Sequence, residues 1–434
     1  MTTHNSDVVI IGAGVSGLAA ARVLREHGVR VSLIEARDHI GGRVFTHRDS
    51  RSAAPIELGA EFVHGSAPEV TTLAREAGLV VVDIPNTRWE HRGRNRVPSK
   101  DFWKRLDHIM GRMSASRTPD RSFHEFLESA PGGRRFARDR ALAREFVENF
   151  HAADALRISE RALAKGGSPA GDEAEQRTGR VIDGYDRVTA WLARKPHDAV
   201  HLCTVAKHIE WEPGAVHVRA SRRDFSARAA IITLPVGVLQ ARAGDRGAVS
   251  IRPSLPRIDE SLSLIATGAV TRVVLLFREE FWRSGKLAGM SFLQGTDPDF
   301  PVFWTAAPAR VPLLVAWAGG RRGAALALLD EAERCERAIV SAARQFGIPR
   351  AQVSSLLVEA WTHDWEGDPF SRGAYSYPLV GGSKAGETLA RPVRGTLYFA
   401  GEATVREADS GTVHGAIRSG RRAAAQLLRH LGAR

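Results

Sequence analysis

Six residues near the start of the chain, Gly12-Ala13-Gly14-Val15-Ser16-Gly17, have the types and spacing of a phosphate-binding turn. Their context gives the match its weight. Val8-Val9-Ile10-Ile11 before them is an apolar run of strand length, and Gly17 to His27 reads as an Ala- and Leu-rich helix. Gly12 permits the tight turn, Gly14 lets the backbone approach a pyrophosphate, and Gly17 lets helix and strand pack closely. Val15 and Ser16 open a helix whose free N–H groups and positive dipole end attract phosphate. The next strand, Val29 to Ile34, ends at Glu35, eighteen residues after Gly17. An acid at that distance hydrogen-bonds ribose hydroxyls and repels the extra phosphate of NADP. Ile40-Gly41-Gly42-Arg43 follows, a second glycine pair with one cation, suited to a further phosphate contact.

The run Glu35-Ala36-Arg37-Asp38-His39-Ile40-Gly41-Gly42-Arg43 resembles the extended FAD signature of the flavin-dependent amine oxidases (the monoamine and polyamine oxidase superfamily, bacterial type). Glu57-Leu58-Gly59-Ala60-Glu61-Phe62-Val63-His64-Gly65 resembles the loop that runs along the flavin in that family. Tyr398-Phe399-Ala400-Gly401-Glu402 resembles its closing motif, where the acid contacts the cofactor, and Val205 matches the position that touches the adenine. Ser410-Gly411-Thr412-Val413-His414-Gly415 reads as a glycine-flanked helix start, with Ala416 allowing close approach. The resemblance implies that this helix points at the flavin, where its positive end favours two-electron reduction. Thr412 also reads as an ordinary N-cap.

Three departures from the family pattern bear on chemistry. The cysteine that anchors the flavin covalently in monoamine oxidases is replaced by Ala374 within Ser371-Arg372-Gly373-Ala374-Tyr375, which implies non-covalent FAD. Of the two tyrosines that flank the substrate in those enzymes, Tyr375 matches one and Thr412 stands at the other. The passage Trp361 to Tyr377 and the run Thr412-Val413-His414-Gly415-Ala416 are more similar to polyamine oxidases and lysine-specific histone demethylases. The demethylases' extra N-terminal domain and nucleosome-engaging insertion have no counterpart here, so a histone substrate is not expected. Trp365 matches a tryptophan near the flavin and serves equally as core. The family lysine that holds a water against flavin N5 is Arg272, permanently charged and forked. Arg272 is read as holding a water, as binding a substrate carboxylate bidentately, or as an outward-facing strand residue.

These residues imply oxidation of an amine C–N bond by hydride transfer to flavin N5, with O2 the acceptor. The alternative is a desaturase or isomerase acting on a C–C bond on the same scaffold. No G-x-S-x-G, no H-E-x-x-H and no metal-ligand cluster is present, and His64 reads as a flavin neighbour or a structural histidine. Composition excludes other classes. No run reaches the roughly 18–20 apolar residues of a membrane span. Cys203 and Cys335 alone cannot build a disulfide scaffold, which points to a reducing cytoplasm. The net charge of +12 comes from 61 Lys and Arg, only seven of them Lys, and the Arg are dispersed among acids. Nucleic acid is therefore not an expected partner; a monomer or homodimer acting on a small amine is.

The positioning elements read as α/β, a Rossmann-like parallel sheet with a second α+β domain. The FAD domain is expected to be discontinuous, from 1–83, 180–245 and 390–434, with 84–179 and 246–389 building the substrate side. Between Trp89 and Arg194 the text is charged and helical, with turns at Pro131-Gly132-Gly133 and Gly166-Gly167-Ser168-Pro169. Strands are expected at Val216–Val218, Ala229–Ile232, Val270–Phe277, Leu313–Trp317 and Leu397–Ala400, and a helix from Thr412 to Leu428.

Overall fold

The computed structural model describes residues 3–92, 95–167, 171, 176–283 and 285–432. Its turn at Gly166-Gly167 is described, while Ser168 and Pro169 of that signal lie outside these residues. A parallel five-stranded sheet forms the cofactor side, in the order Val200–His201, Val31–Ile34, Val8–Ile11, Ala229–Ile232, Leu397–Phe399. Its central strands are buried on both faces, which is why they read as unbroken apolar runs. The helix Val15–Glu26 covers one face, and the C-terminal helix Val413–Gly432 packs on it. Contact there is close. Ser16 Oγ lies 3.0 Å from Ser419 Oγ, and a Cβ on Gly420 would collide with the Ser16 carbonyl oxygen.

A second five-stranded sheet, Thr3–Asn5, Asp224–Ala227, Ala215–Ala220, Ala206–Glu212 and Ser250–Arg252, lies beside the first. A boundary placed at 245 would cut Ser250–Arg252 from its partner, since Ile209 pairs with Ile251. The substrate side is a seven-stranded sheet in the order Leu357–Thr362, Val270–Phe277, Leu313–Gly319, Val302–Thr305, Phe292–Gln294, Arg88–Arg92, Asn95–Pro98. Helices Phe102–Met110, Phe123–Glu128, Ala137–Phe150 and Glu160–Lys165 form a separate apolar cluster beside it. The 89–194 region is thus less purely helical than its composition suggests. It also supplies Asn95–Pro98 and the strand Thr178–Val181, which lies between Phe62–His64 and Val81–Asp83. Short strands of mixed charge give no apolar run to read.

A buried carboxyl ties the flavin-loop region to the cofactor domain. Glu57 accepts hydrogen bonds from Thr46 Oγ1 (2.6 Å) and the Tyr185 N–H (2.8 Å). Burial raises its pKa to about 7, above the ordinary 4.5. A carboxyl raised in the folded state stabilises the fold fully below 4.5, and the benefit is lost as pH rises through about 7. Glu57→Gln keeps the shape without the ionisation. It is expected to remove part of the stability loss between pH 5 and pH 8, by roughly 1–3 kcal/mol, read from thermal midpoints of both proteins across that range.

Candidate active site

A single cavity of about 1200 Å³ runs from the glycine turn to the seven-stranded sheet. Its cofactor end is built by the turn after Val8–Ile11. Gly12 has φ +105°, a conformation that side chains rarely adopt, and a Cβ on Gly17 would collide with the Gly12 carbonyl oxygen. Gly17 therefore packs helix on turn and does not line the cavity, whereas Gly12, Gly14, Val15 and Ser16 do. Gly14 is different again. A Cβ there would meet no protein atom closer than 4.0 Å, so protein packing does not require a glycine. The open space beside its backbone is the approach a pyrophosphate needs.

Glu35, Ala36, Arg37, Gly42 and Arg43 continue the wall. Glu35 is held by the Ala13 N–H (2.8 Å) and the Arg37 N–H (3.0 Å), which aim its carboxylate at the ribose position. Arg37 lies 3.8 Å from the Glu35 carboxylate and donates to Asp368 (2.7 Å) and Ser371 (2.8 Å). Val205, the residue that the resemblance assigns to the adenine, lines the cavity; its N–H donates to Ser221 Oγ and its carbonyl accepts from the Ser221 N–H. Its side chain is what it offers a base. A dinucleotide fits these residues, with the glycine turn and helix start for phosphates and Glu35 for ribose.

Farther along lie Gly59, Ala60, Glu61, Phe62, Gly401, Glu402, Thr412, Val413 and Ala416. Glu402 is buried and accepts from Arg43 (3.0 Å), Ser376 Oγ (2.8 Å) and the Gly411 N–H (3.1 Å). Thr412 caps the C-terminal helix: its Oγ1 accepts from the Gly415 N–H (3.0 Å) and donates to the Asp409 carbonyl (2.6 Å). Val413, His414 and Ala416 of the first helical turn line the cavity.

Glu61 is a buried acid of the wall held by two cations and an indole. Arg180 and Arg272 both donate to it, and Trp304 Nε1 donates at 3.1 Å. Arg272 also donates to the Gly59 carbonyl (2.8 Å) and is 3% exposed. This corrects two of its sequence-based readings. Arg272 does not face outward, and its two terminal nitrogens are spent on Gly59 and Glu61, so it has no fork left for a substrate carboxylate. Only its Nε is buried without a partner. Nothing in the primary structure joined Glu61 to Arg272, because the pairing is made by tertiary packing alone.

Tyr375 and Trp365 also line the cavity. The Tyr375 hydroxyl donates to the Phe150 carbonyl (2.7 Å), and burial beside Glu402 holds its pKa well above the ordinary value. Trp365 Nε1 donates to the Leu58 carbonyl (2.9 Å), fixing the indole under the flavin loop. His64 and His151 line the chamber, both lowered to about 4, chiefly by burial, with His414 and Arg88 also acting on His64. Ala374 lies on the wall and neither cysteine does. Sequence reasoning missed the substrate-side residues Arg88, Trp103, Phe146, Phe150, Trp304 and Trp317. The signal available was the period-two alternation of Arg88, Trp89 and Glu90, which puts both charged groups on one face of a strand.

Comparison with known proteins agrees with this construction. Residues 15–428 match the family model for flavin containing amine oxidoreductase. Lysine-specific histone demethylase 1 homolog 1 of Arabidopsis thaliana is 28% identical, over 98% of this chain and 52% of that protein. The chain thus spans about half the length of such demethylases. A flavin-containing amine oxidase of Oncorhynchus mykiss is 24% identical, over 100% of this chain and 88% of that protein. A solved structure of putrescine oxidase bound to putrescine shares the fold, with TM-score 0.83 at 24% identity, covering 99% of this chain and 100% of that one. The chain belongs to the flavin-containing amine oxidoreductase family, and the cofactor its site accepts is FAD. No helix among the described residues is long and apolar enough to cross a membrane.

Gly17→Ala tests the frame. Its Cβ forces the helix off the turn, so the protein is expected to purify with less than about a tenth of the bound FAD, measured as the 450 to 280 nm absorbance ratio.

Proposed function

We propose that this protein oxidises the C–N bond of a small amine, with FAD held non-covalently and O2 as electron acceptor. The observation that carries the reading is the continuity of the cavity from the glycine turn, past the Glu402 and Thr412 segments, into a chamber walled by Tyr375, Trp304, Trp317 and Phe150. When bound, FAD would supply the electron sink: a proton and two electrons leave the carbon bearing nitrogen, and O2 finally takes the two electrons with two protons as H2O2. The imine left behind adds water and splits into a carbonyl compound and an amine.

The chain's own residues supply orientation and dryness rather than a nucleophile. Tyr375 is locked by Phe150 and stays a neutral phenol, presenting a ring rather than a base. Trp317 Nε1 is tied to the Asn149 carbonyl (2.9 Å), so its indole is equally fixed. His64 and His151 are neutral at pH 7 and add no cation that would repel a protonated amine or need to lose a proton. The amine must shed its own proton to solvent before binding. Arg272 stands where the family lysine acts, and because its one N–H without a partner is walled in, the help it gives reoxidation comes from its charge. Ala374 on the wall, and both cysteines off it, support non-covalent binding. A cytoplasmic location and a monomeric or homodimeric state complete the reading.

Anaerobic titration with primary amines, polyamines and amino acids tests it. One class should bleach the flavin's visible band, and failure of every amine would sink the proposal in favour of C–C dehydrogenation. Two further outcomes are expected. The rising limb of kcat/KM with pH should follow the ionisation of each substrate amine and stay put in His64→Asn, read from pH profiles of two amines with different pKa. Arg272→Met should leave Glu61 short of a cationic partner. It is expected to lose roughly 3–5 kcal/mol of stability and, in the folded fraction, to slow reoxidation by air in stopped-flow absorbance, with Arg272→Lys intermediate.

A further inference from the structure

Arg88 in the chamber wall, which is not exposed, has no counter-ion among the described residues. Arg88 begins the strand Arg88–Arg92 and pairs in register with Phe292 on the neighbouring parallel strand. Its guanidinium carbon lies 4.5 Å from the Phe292 ring centroid, 4.7 Å from Phe102 and 5.0 Å from Trp103. Nε donates to Asn86 Oδ1 at 2.7 Å, which fixes the plane of the fork. Its two terminal nitrogens make no hydrogen bond to any described residue.

The contrast with its neighbours is chemical. The other arginines of this wall that are not exposed all hold acids: Arg37 with Asp368, Arg43 with Glu402, Arg105 with Glu90 and Asp139, Arg272 with Glu61. Glu90, two residues along the same face, is directed to Arg105 and Ser99. Burial acts on Arg88 with no acid opposing it, and its charge reaches His64 farther along the chamber. Three aromatic faces replace only part of the hydration a guanidinium loses on burial. An arginine kept in this state, planar, anchored at Nε and open at both ends of its fork, is the geometry that receives a carboxylate bidentately.

We propose that Arg88 docks a carboxylate carried by the substrate, so that the chamber takes an amino carboxylate in preference to a simple alkylamine or a diamine. The aromatic rings around the fork accept the carbon skeleton between the two ends. A diamine would bring its distal ammonium against Arg88 and be disfavoured by like charge. This proposal rests on the C–N oxidation reading above.

The test uses holoenzyme and matched pairs that differ only by the carboxylate: phenylalanine with phenethylamine, lysine with cadaverine, 5-aminopentanoate with butylamine. Anaerobic flavin reduction should be at least about tenfold more efficient with one or more of the carboxylates than with its partner. In Arg88→Met that ratio should fall towards one, with Arg88→Lys between. A readout without turnover accompanies it, calorimetric titration with phenylacetate and phenylacetamide. Phenylacetate should bind the wild type at least about tenfold tighter than the amide, and the difference should vanish in Arg88→Met. Equal or better reduction by the simple amines, with the two probes binding alike, overturns the Arg88 assignment and leaves amine oxidation standing. Selective binding of phenylacetate without reduction by any amine supports the Arg88 site and overturns C–N oxidation instead. Neither reduction nor selective binding removes both.

Discussion

The buried carboxylate of Glu61 holds the two halves of the site in register. Taking an acid out of water costs several kcal/mol unless donors replace the lost hydration. Here they come from opposite sides: Arg180 from the strand paired with Phe62–His64, and Arg272 and Trp304 from two strands of the seven-stranded sheet. Neither side can withdraw without leaving a charge uncompensated. Apolar packing alone would let the sheet slide by fractions of an ångström, whereas a forked cation on a buried acid allows one geometry. Hydride transfer of the kind proposed would depend on that order of accuracy, since misplacement by about 1 Å costs on the order of a hundredfold in rate.

Glu402 does the corresponding work on the other flank. It gathers Arg43 from the cofactor signature, Ser376 from the substrate side and the Gly411 N–H ahead of the last helix. Arg43 reaches on to the Ala374 carbonyl at 2.5 Å, so the segment bearing Tyr375 is suspended from the cofactor frame. Polar ties of this kind separate two tasks. The parallel sheet and its helices hold a cofactor by backbone shape, and the acids transmit that position to the walls of a chamber built from other parts of the chain.

What was legible in the sequence follows the same division. The glycine turn, Glu35, the flavin loop and the C-terminal helix are local patterns whose chemistry is carried by backbone conformation, and each was readable from a few neighbouring residues. Fold class was readable for the same reason, because buried parallel strands write themselves as apolar runs. The chamber was not. Arg88, Trp103, Trp304 and Trp317 come from a strand, a helix and two further strands, and their convergence leaves no spacing to find. Arg272 shows the limit most sharply: its residue type was informative, but whether it faced solvent, a substrate or Glu61 depended on a partner more than two hundred residues away.

The docking of the last helix on the first carries a consequence for biosynthesis. Gly420 lies against the backbone of Ser16, Ser419 meets Ser16, and Leu397–Phe399 forms the edge of a sheet begun at Val8. Until Leu397–Phe399 has been synthesised the chain therefore holds only an open sheet, one strand short and uncovered where the helix Val413–Gly432 will lie. Such long-range closure is slow and exposes apolar surface while it waits. Capture of FAD must await synthesis through the helix Val413–Gly432, which makes cofactor supply and chaperone protection in those first moments part of how much active protein a cell obtains.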